Sequence, residues 1–391
     1  MRVLVVSTWL PTLSHPATGL FVVKDARAIA DLGHEVALIH LVPPHQLSGP
    51  SATALGAESP TIDGLPVNRI IMSTTNPRQI AAATTRLARW SLGADVVHTM
   101  AFSTLLPFAL WRPYAPWVHT EHWSGLTAPH LLPTSWRLAL PALKPLQTRP
   151  DVTTSVCDYL ATPIRAVRGG DPTTVVPCIV ERPDSLVPRP TASEEIAMVS
   201  IGGLIERKDP LIALDTVAEL GRRGVRATLR FVGEGPLREA ITTRADVLGL
   251  SDQVTVVGTL DRSGVLDELA RADVFFGPTR GDNFFVSCAE AVLSGRPVVV
   301  GSTGGQGEYL DSRVGICVDE QSPTAYADAI ERVLVQVDGM SAEDISSTIG
   351  DAFSAVEVAA AYDQAYDLAA RQPRRGARLR AHRRAQRTAD E

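Results

Sequence analysis

The sequence predicts an α/β protein of two doubly wound domains facing each other across a cleft, with a C-terminal helix that crosses back to the first domain. Three observations predict it. Short apolar runs alternate with amphipathic helical stretches in two successive series, the pattern of parallel sheets covered on both faces. A segment with Pro183, Pro188 and Pro190 interrupts the alternation in mid-chain. The 391 residues exceed what a single core usually supports, so two domains are expected.

In the first domain, 1–180, Val3–Ser7 reads as a strand, Phe21–Leu32 as an amphipathic helix stopped by Gly33, and Val36–His40 as a second strand. The polar stretch Pro43–Pro66 reads as a surface loop near an open cleft. Further strands are read at Val67–Ile71, Val96–His98, Trp117–Thr120, Val152–Thr154 and Thr174–Val176, with helices over 77–92, 134–147 and 157–167. Residues 181–195 form the interdomain linker. The second domain, 196–350, has strands near 196–201, 227–232, 254–257, 273–276 and 297–300. Its helices lie near 210–222, 236–248, 263–270, 285–294 and 323–336, so both domains have the Rossmann-like alternation. In the crossing segment 351–370, a helix over Ser354–Ala370 carries Val358, Ala359, Tyr362, Ala365, Tyr366 and Ala369 at helical spacing. The tail 371–391 has eight arginines, two acids and no apolar periodicity, and reads as disordered. Ligands are expected at the carboxyl ends of the strands, inside the cleft.

With 45% apolar and 20% charged residues the chain is an ordinary soluble protein, and 5% aromatics argue against a lectin-like or base-stacking surface. The net charge of −6 is uneven. Residues 1–185 carry 14 basic and 12 acidic side chains, and residues 186–370 carry 15 and 29. No continuous basic face exists, so nucleic acid is not an expected partner. Cys157, Cys178, Cys288 and Cys317 lack the two-residue spacing of metal or redox motifs and read as free thiols in a reducing compartment. The opening MRVLVVSTWLP is strand-like without a charged leader, and no 18-residue apolar run occurs. A cytoplasmic location is expected. The arginine tail suits either a solvated terminus or contact with an anionic surface on the inner face of the plasma membrane.

The chemistry concentrates in Pro278–Val300, PTRGDNFFVSCAEAVLSGRPVVV. Asp282 and Glu290 lie eight residues apart across a loop-to-helix junction, Gly295 ends the helix, and Val298–Val300 is a strand leading to the loop GSTGGQGE at Gly301–Glu308. A nucleotide-sugar pocket needs carboxylates for sugar and ribose hydroxyls and backbone N–H groups for phosphates. Earlier, VSIGGLIERKDP places two glycines in a turn and Arg207 and Lys208 before a helix, a phosphate-binding pattern or a plain strand–turn–helix. In FVGEGPLREA, Gly233-Glu234-Gly235-Pro236 reads as a turn with Pro at the first helical position. No Asp-x-Asp occurs to hold a divalent metal, so no metal ligands are assigned.

The succession GGLIERK, VGEGPL, PTRGDNFFVSCAEAVLSGRPVV and STGGQGEYL resembles the donor-binding domain of the retaining glycosyltransferases of family 4, the glycosyl transferases group 1, which have the two-domain GT-B fold. The opening STWLPTLSHPATGLFVVKDARAIADLGHEVALI and the segment VVPCIVE are similar to the same family, so the resemblance runs to about residue 370. It implies that Glu290 binds the donor ribose and that Asp282, where the family usually has glutamate, contacts hydroxyls of the transferred sugar. Asp282 is one methylene shorter, and Asn283 and Phe285 stand where glycines are common; Asn283 and Phe284 belong to the implied donor-binding loop. Lys208 matches the diphosphate-binding lysine. Gly203 holds the place of a frequent arginine, with Arg207 as the possible second cation. Glu234 and the Gly304-Gly305 loop also fall on the donor side, the glycines presenting N–H groups to sugar or phosphates. In WVHTEHWSGL, His122 matches the active-site histidine, whereas His119 lies within the strand as a structural residue. Gly19 is the implied point of close backbone approach to phosphates or acceptor. Plainer alternatives are an exposed helix carboxylate for Glu290, a helix N-cap for Asp282, a tight turn for Gly304-Gly305 and a satisfied strand-end group for His122.

The expected activity is transfer of a hexose-type sugar, with retention, from a nucleoside-diphosphate sugar to a hydroxyl of a glycan, lipid-linked or small-molecule acceptor. The donor is a substrate, and neither cofactor nor metal is expected. Negative charge builds on the departing diphosphate, so electrostatic stabilisation is the main catalytic task, with His122, Lys208 and Asp282 as the catalytic set. Closure about the linker would assemble the site. Two alternatives are a dehydrogenase, whose G-x-G-x-x-G is missing after the first strand, and a non-catalytic nucleotide-sugar-binding subunit, suggested by Gly203 and Asp282.

Overall fold

The computed structural model describes residues 1–12, 14–16, 18–47, 61–190 and 195–373. The centre of the 43–66 loop, linker residues 191–194 and the arginine-rich tail from 374 onward lie outside the described residues.

Among the described residues the first sheet has eight strands: β1 Arg2–Ser7, β2 Glu35–Val42, β3 Thr61–Ile62, β4 Leu65–Ile71, β5 Val96–Met100, β6 Trp117–Glu121, β7 Val152–Ser155 and β8 Thr173–Val175. Their order is β3-β4-β2-β1-β5-β6-β7-β8. All neighbours are parallel except the short β3–β4 pair. The second sheet contains β9 Glu195–Ile201, β10 Arg226–Val232, β11 Val254–Gly258, β12 Val274–Gly277, β13 Val298–Gly301 and β14 Gly315–Val318, in the order β11-β10-β9-β12-β13-β14. Strand order reverses beside β1 in one sheet and beside β9 in the other, and crevices open at the carboxyl ends of such strands. In β1, Val3–Ser7 are all buried, because helices cover both faces.

The first domain carries helices α1 Leu20–Asp31, α2 Pro77–Trp90, α3 Thr134–Leu143 and α4 Asp158–Arg168. The second carries α5 Pro210–Arg222, α6 Arg238–Leu248, α7 Arg262–Arg271, α8 Val286–Leu293, α9 Pro323–Gln336 and α10 Ala342–Ser346, and α11 Ala355–Arg371 follows. The helix expected over 134–147 stops at Leu143, because Lys144 precedes a proline, and the chain continues as a 3₁₀ turn over Lys144–Thr148. The four-residue edge strand β14 and the one-turn helix α10 give no periodic signal of useful length.

The face of α11 expected from its spacing, Val358, Ala359, Tyr362, Ala365, Tyr366 and Ala369, is buried. It packs with Val22 and Ile29 of α1, so the last helix crosses back to the first domain. Tyr362 donates its hydroxyl hydrogen to buried Asp25 Oδ2 at 2.9 Å, and the Tyr366 hydroxyl lies 2.8 Å from His98 Nδ1. Burial pushes the Asp25 carboxyl up to about 7, opposed by the Tyr362 hydrogen bond. The linker is laid along the second domain: Arg296 Nη2 donates to the carbonyls of Val187 and Pro188, both at 3.2 Å.

Candidate functional site

The second domain's half of the site starts from two turns pressed backbone to backbone. A Cβ on Gly233 would lie 2.0 Å from Gly202 O, and both glycines have φ near +145°, so neither tolerates a side chain. Gly203 is different: it is exposed, and a Cβ there would find its nearest neighbours at 3.8 and 3.9 Å. The following 3₁₀ turn, Glu206–Lys208, delivers two cations to one carboxylate. Lys208 Nζ donates to Asp282 Oδ2 at 2.6 Å, and Arg207 Nη1 donates to the same oxygen at 2.8 Å. The Lys208 ammonium also lies 3.5 Å from the centroid of the Phe285 ring. Burial opposes the charge on Asp282, yet Lys208 and Arg207 outweigh it and hold the carboxyl below its ordinary range. Burial draws the Lys208 ammonium downward, against the pull of Asp282. The other oxygen, Asp282 Oδ1, accepts the Phe285 N–H at 3.3 Å, where Phe285 at φ 60° begins α8. Asp282 therefore caps the helix entry and holds the cations at once.

The glycine loop is stitched onto this acidic loop. A Cβ on Gly304 would lie 2.0 Å from Asp282 O, and one on Gly305 would lie 2.0 Å from Asn283 O. Gly305 donates its N–H to Asp282 O at 3.1 Å. The pair is thus required by the neighbouring chain, and that Gly305 N–H is engaged there. Two residues of these loops reach the first domain. The Glu308 carboxylate accepts the N–H groups of Asp158 and Tyr159 at 2.7 and 2.6 Å, at the start of α4. Asn283 Nδ2 donates to His122 O at 3.0 Å, and Asn283 Oδ1 accepts from Thr127 Oγ1 at 2.9 Å.

On the first domain's side, β6 ends in Glu121, which is fully buried. Its Oε1 accepts the N–H groups of His122 and Trp123 at 3.1 and 3.0 Å, and its Oε2 accepts from Gln147 Nε2 at 2.7 Å. This fixes the backbone of His122. The His122 ring lies 4.5 Å from Phe21, and its buried Nε2 has no hydrogen-bond partner among the described residues. Burial, with His119 nearby, pushes the His122 imidazole down to about 3, so it is neutral at physiological pH. His119 is buried inside the strand, with Nδ1 3.0 Å from Thr99 Oγ1. Gly19 begins α1 at φ 70°, and a Cβ there would lie 2.1 Å from Trp9 O. The close approach that demands glycine is to that carbonyl.

Glu290 stands half-buried on α8, and among the described residues its carboxylate has no hydrogen-bond partner. Burial raises its pKa, with Lys24 and Arg262 opposing. Glu234 turns to the surface, where Oε1 accepts from Arg238 Nη1 at 2.5 Å. The Phe284 ring packs between Tyr309 and Phe353, with centroids 5.2 and 5.0 Å away, and supports the loop from behind. The structure thus gathers Arg207, Lys208, Asp282, Asn283, Gly304 and Gly305, with His122 opposite. The side chains of Glu234 and Phe284 do not join them. A cavity of about 320 Å³ lies between the halves, lined by Arg207, Asp282 and Asn283 on one side and Ser124 and Thr127 on the other. Among the described residues no three His, Cys, Asp or Glu side chains gather as metal ligands. Sequence reasoning assigned no role to Glu121, Thr127 or Glu308. Glu121 and Glu308 fall inside quoted segments, HTEHW and GGQGE, but nothing local signals that Glu121 meets Gln147 or that Glu308 meets the start of α4.

The family described as glycosyl transferases group 1 matches residues 195–336, and the glycosyl transferase 4-like domain matches residues 18–178. A GDP-mannose-dependent alpha-(1-6)-phosphatidylinositol dimannoside mannosyltransferase of Mycobacterium tuberculosis is 32% identical over 141 residues, 36% of each chain. The matched stretch therefore spans about a third of that relative's length. A GDP-mannose-dependent alpha-(1-6)-phosphatidylinositol monomannoside mannosyltransferase of Mycolicibacterium smegmatis is 27% identical over 265 residues, 62% of this chain and 69% of the relative. Among solved structures, a lipopolysaccharide outer core galactosyltransferase superposes with a TM-score of 0.73 at 14% identity, covering 93% of this chain and 99% of that one.

Proposed function

The chain belongs to the GT-B glycosyltransferases of the family 4 type, and from that premise we propose that it moves a hexose-type sugar from a nucleoside-diphosphate donor to an acceptor hydroxyl, with retention and without a metal ion. The observation that carries this reading is the convergence of Lys208 and Arg207 on Asp282 of the acidic loop, whose next residue, Asn283, reaches the His122 carbonyl across the cleft. Charge that develops on a departing diphosphate would be met there by two fixed cations in a partly dry site, where such contacts are strong. Glu290, half-buried and without a hydrogen-bond partner among the described residues, is the ribose-binding carboxylate. Neutral His122, whose buried Nε2 has no hydrogen-bond partner among the described residues, is the active-site histidine near the transferred sugar. Attack comes from the face the diphosphate leaves, and a phosphate oxygen takes the acceptor proton. Four free cysteines suit a cytoplasmic location, and no helix among the described residues is long and apolar enough to cross a membrane.

A non-catalytic binding protein is the second reading, favoured by Asp282 already occupying both cations. Melting temperature measured with a panel of sugar nucleotides, GDP-mannose first because two relatives carry it in their names, identifies the donor. Release of nucleoside diphosphate from that donor then separates the readings. Binding without release rejects the enzyme.

A further inference from the structure

We propose that Asn283 is a positioning residue: its side-chain amide reaches across the cleft and fixes the place of His122 relative to the donor loop. The proposal rests on the transferase reading above and names a residue that serves the reaction without touching the reacting atoms. The resemblance puts Asn283 in the donor-binding loop, at a place where glycine is common. Its side chain is nevertheless engaged with the other domain. Nδ2 donates to His122 O at 3.0 Å, and Oδ1 accepts from Thr127 Oγ1 at 2.9 Å. These partners fix which way the amide faces, since a carbonyl only accepts and must meet the nitrogen. Asn283 is 6% exposed, so water competes little for either bond.

The contact is braced at both ends. On the second domain, Gly305 donates its N–H to Asp282 O at 3.1 Å, and a Cβ on Gly305 would lie 2.0 Å from Asn283 O. Phe285, two residues on, enters α8 at φ 60°. The backbone of Asn283 therefore has little room to shift. On the first domain, Glu121 Oε1 accepts the His122 N–H at 3.1 Å. His122 is thus gripped from opposite sides, its N–H by its own domain and its carbonyl by the second. With the backbone held twice, the imidazole has only its rotamer left to choose, and Phe21 lies against it at 4.5 Å.

Thr127 makes the contact reversible. Its single hydroxyl hydrogen has two acceptors in reach, Asn283 Oδ1 at 2.9 Å and Ser124 O at 3.0 Å. When the domains part, that hydrogen keeps its local acceptor, and only Asn283 and the His122 carbonyl return to water. The residue before Asn283 is Asp282, which holds Lys208 and Arg207. The side chain that sets His122 is therefore carried by the loop that meets the diphosphate.

Steady-state release of nucleoside diphosphate by the full chain tests this, with GDP-mannose as the first sugar nucleotide tried. Asn283→Ala should lower kcat by about tenfold, the scale of a misplaced active-site group, with the donor KM within about twofold of wild type. In a His122→Ala background the same change should have no further effect, because Asn283 acts through His122. Thr127→Val should lower kcat by about threefold and add nothing to Asn283→Ala, whereas Thr127→Ser, which keeps the hydroxyl, should stay within about twofold of wild type. Losses that add between Asn283→Ala and His122→Ala, or a donor KM that rises while kcat holds, make Asn283 a donor contact and overturn the proposal. Should Asn283→Ala fail to fold, equal rates for Thr127→Val and Thr127→Ser overturn it instead. Either result leaves the transferase reading standing. No release by wild type from any sugar nucleotide sinks that reading, and the role of Asn283 with it.

Discussion

One oxygen of Asp282 accepts both the Lys208 ammonium, at 2.6 Å, and the Arg207 guanidinium, at 2.8 Å. A single carboxylate therefore neutralises the two cations assigned to the donor diphosphate, and nucleotide must compete with it. Asp282→Asn should tighten GDP or UDP binding by roughly tenfold, about 1.4 kcal/mol, while turnover falls because the contact to the transferred sugar is lost. Titration calorimetry alongside steady-state rates reads both. Weaker nucleotide binding in the variant would contradict this arrangement.

Gly203 has ordinary backbone geometry and open space around its missing side chain, with nothing nearer than 3.8 Å to an added Cβ. Gly203→Arg should therefore fold normally and add a charge-assisted contact to the diphosphate, tightening it by roughly tenfold. The thermal shift produced by nucleotide should grow accordingly. An unchanged shift would show that position 203 does not face the phosphates.

Glu308 crosses the cleft to the first N–H groups of α4, adding a carboxylate to the positive end of that helix. Glu308→Ala should cost about 0.5–2 kcal/mol, as loss of a helix cap does, and favour an open arrangement of the domains. Small-angle scattering should then give a larger radius of gyration than wild type, and equal radii would remove Glu308 from the closure.

Asp25 ties α1 to the crossing helix through Tyr362. Its folded pKa of about 7 is raised from 3.8, so its contribution to stability is fully present below about pH 4 and is lost as pH rises through 7. The two tyrosines and the histidine packed beside it lie outside that window. Burial lifts Tyr362 and Tyr366 well above their ordinary range, and burial lowers His98 to about 3. The melting temperature of wild type should decline from pH 6 to 8, whereas that of Asp25→Asn should lose this component of the decline. Parallel profiles would place the titration elsewhere.

The sheets are legible in the sequence because runs such as Val3–Val6 and Val298–Val300 are buried on both faces and need no alternation. The crossing helix is legible through its 3.6-residue spacing. What escapes is the aim of side chains on turns and the pairs formed across the cleft. Glu308 and Asp158 lie 150 residues apart, and Asn283 and His122 lie 161 apart, so no local pattern announces either contact. Phe284 looks like a site residue by position, yet the left-handed turn at Phe285 leaves its ring in a cluster with Tyr309 and Phe353. Glu234 likewise sits in the right turn, but its carboxylate pairs with Arg238, one helical turn away.

The most direct test of the central claim is release of nucleoside diphosphate from the stabilising sugar nucleotide, compared between wild type and Lys208→Ala. Wild type should release it, and the variant should be slower by roughly a hundredfold or more, the usual cost of removing one group that stabilises developing negative charge. Release at the wild-type rate by Lys208→Ala, or none by wild type, would contradict the account.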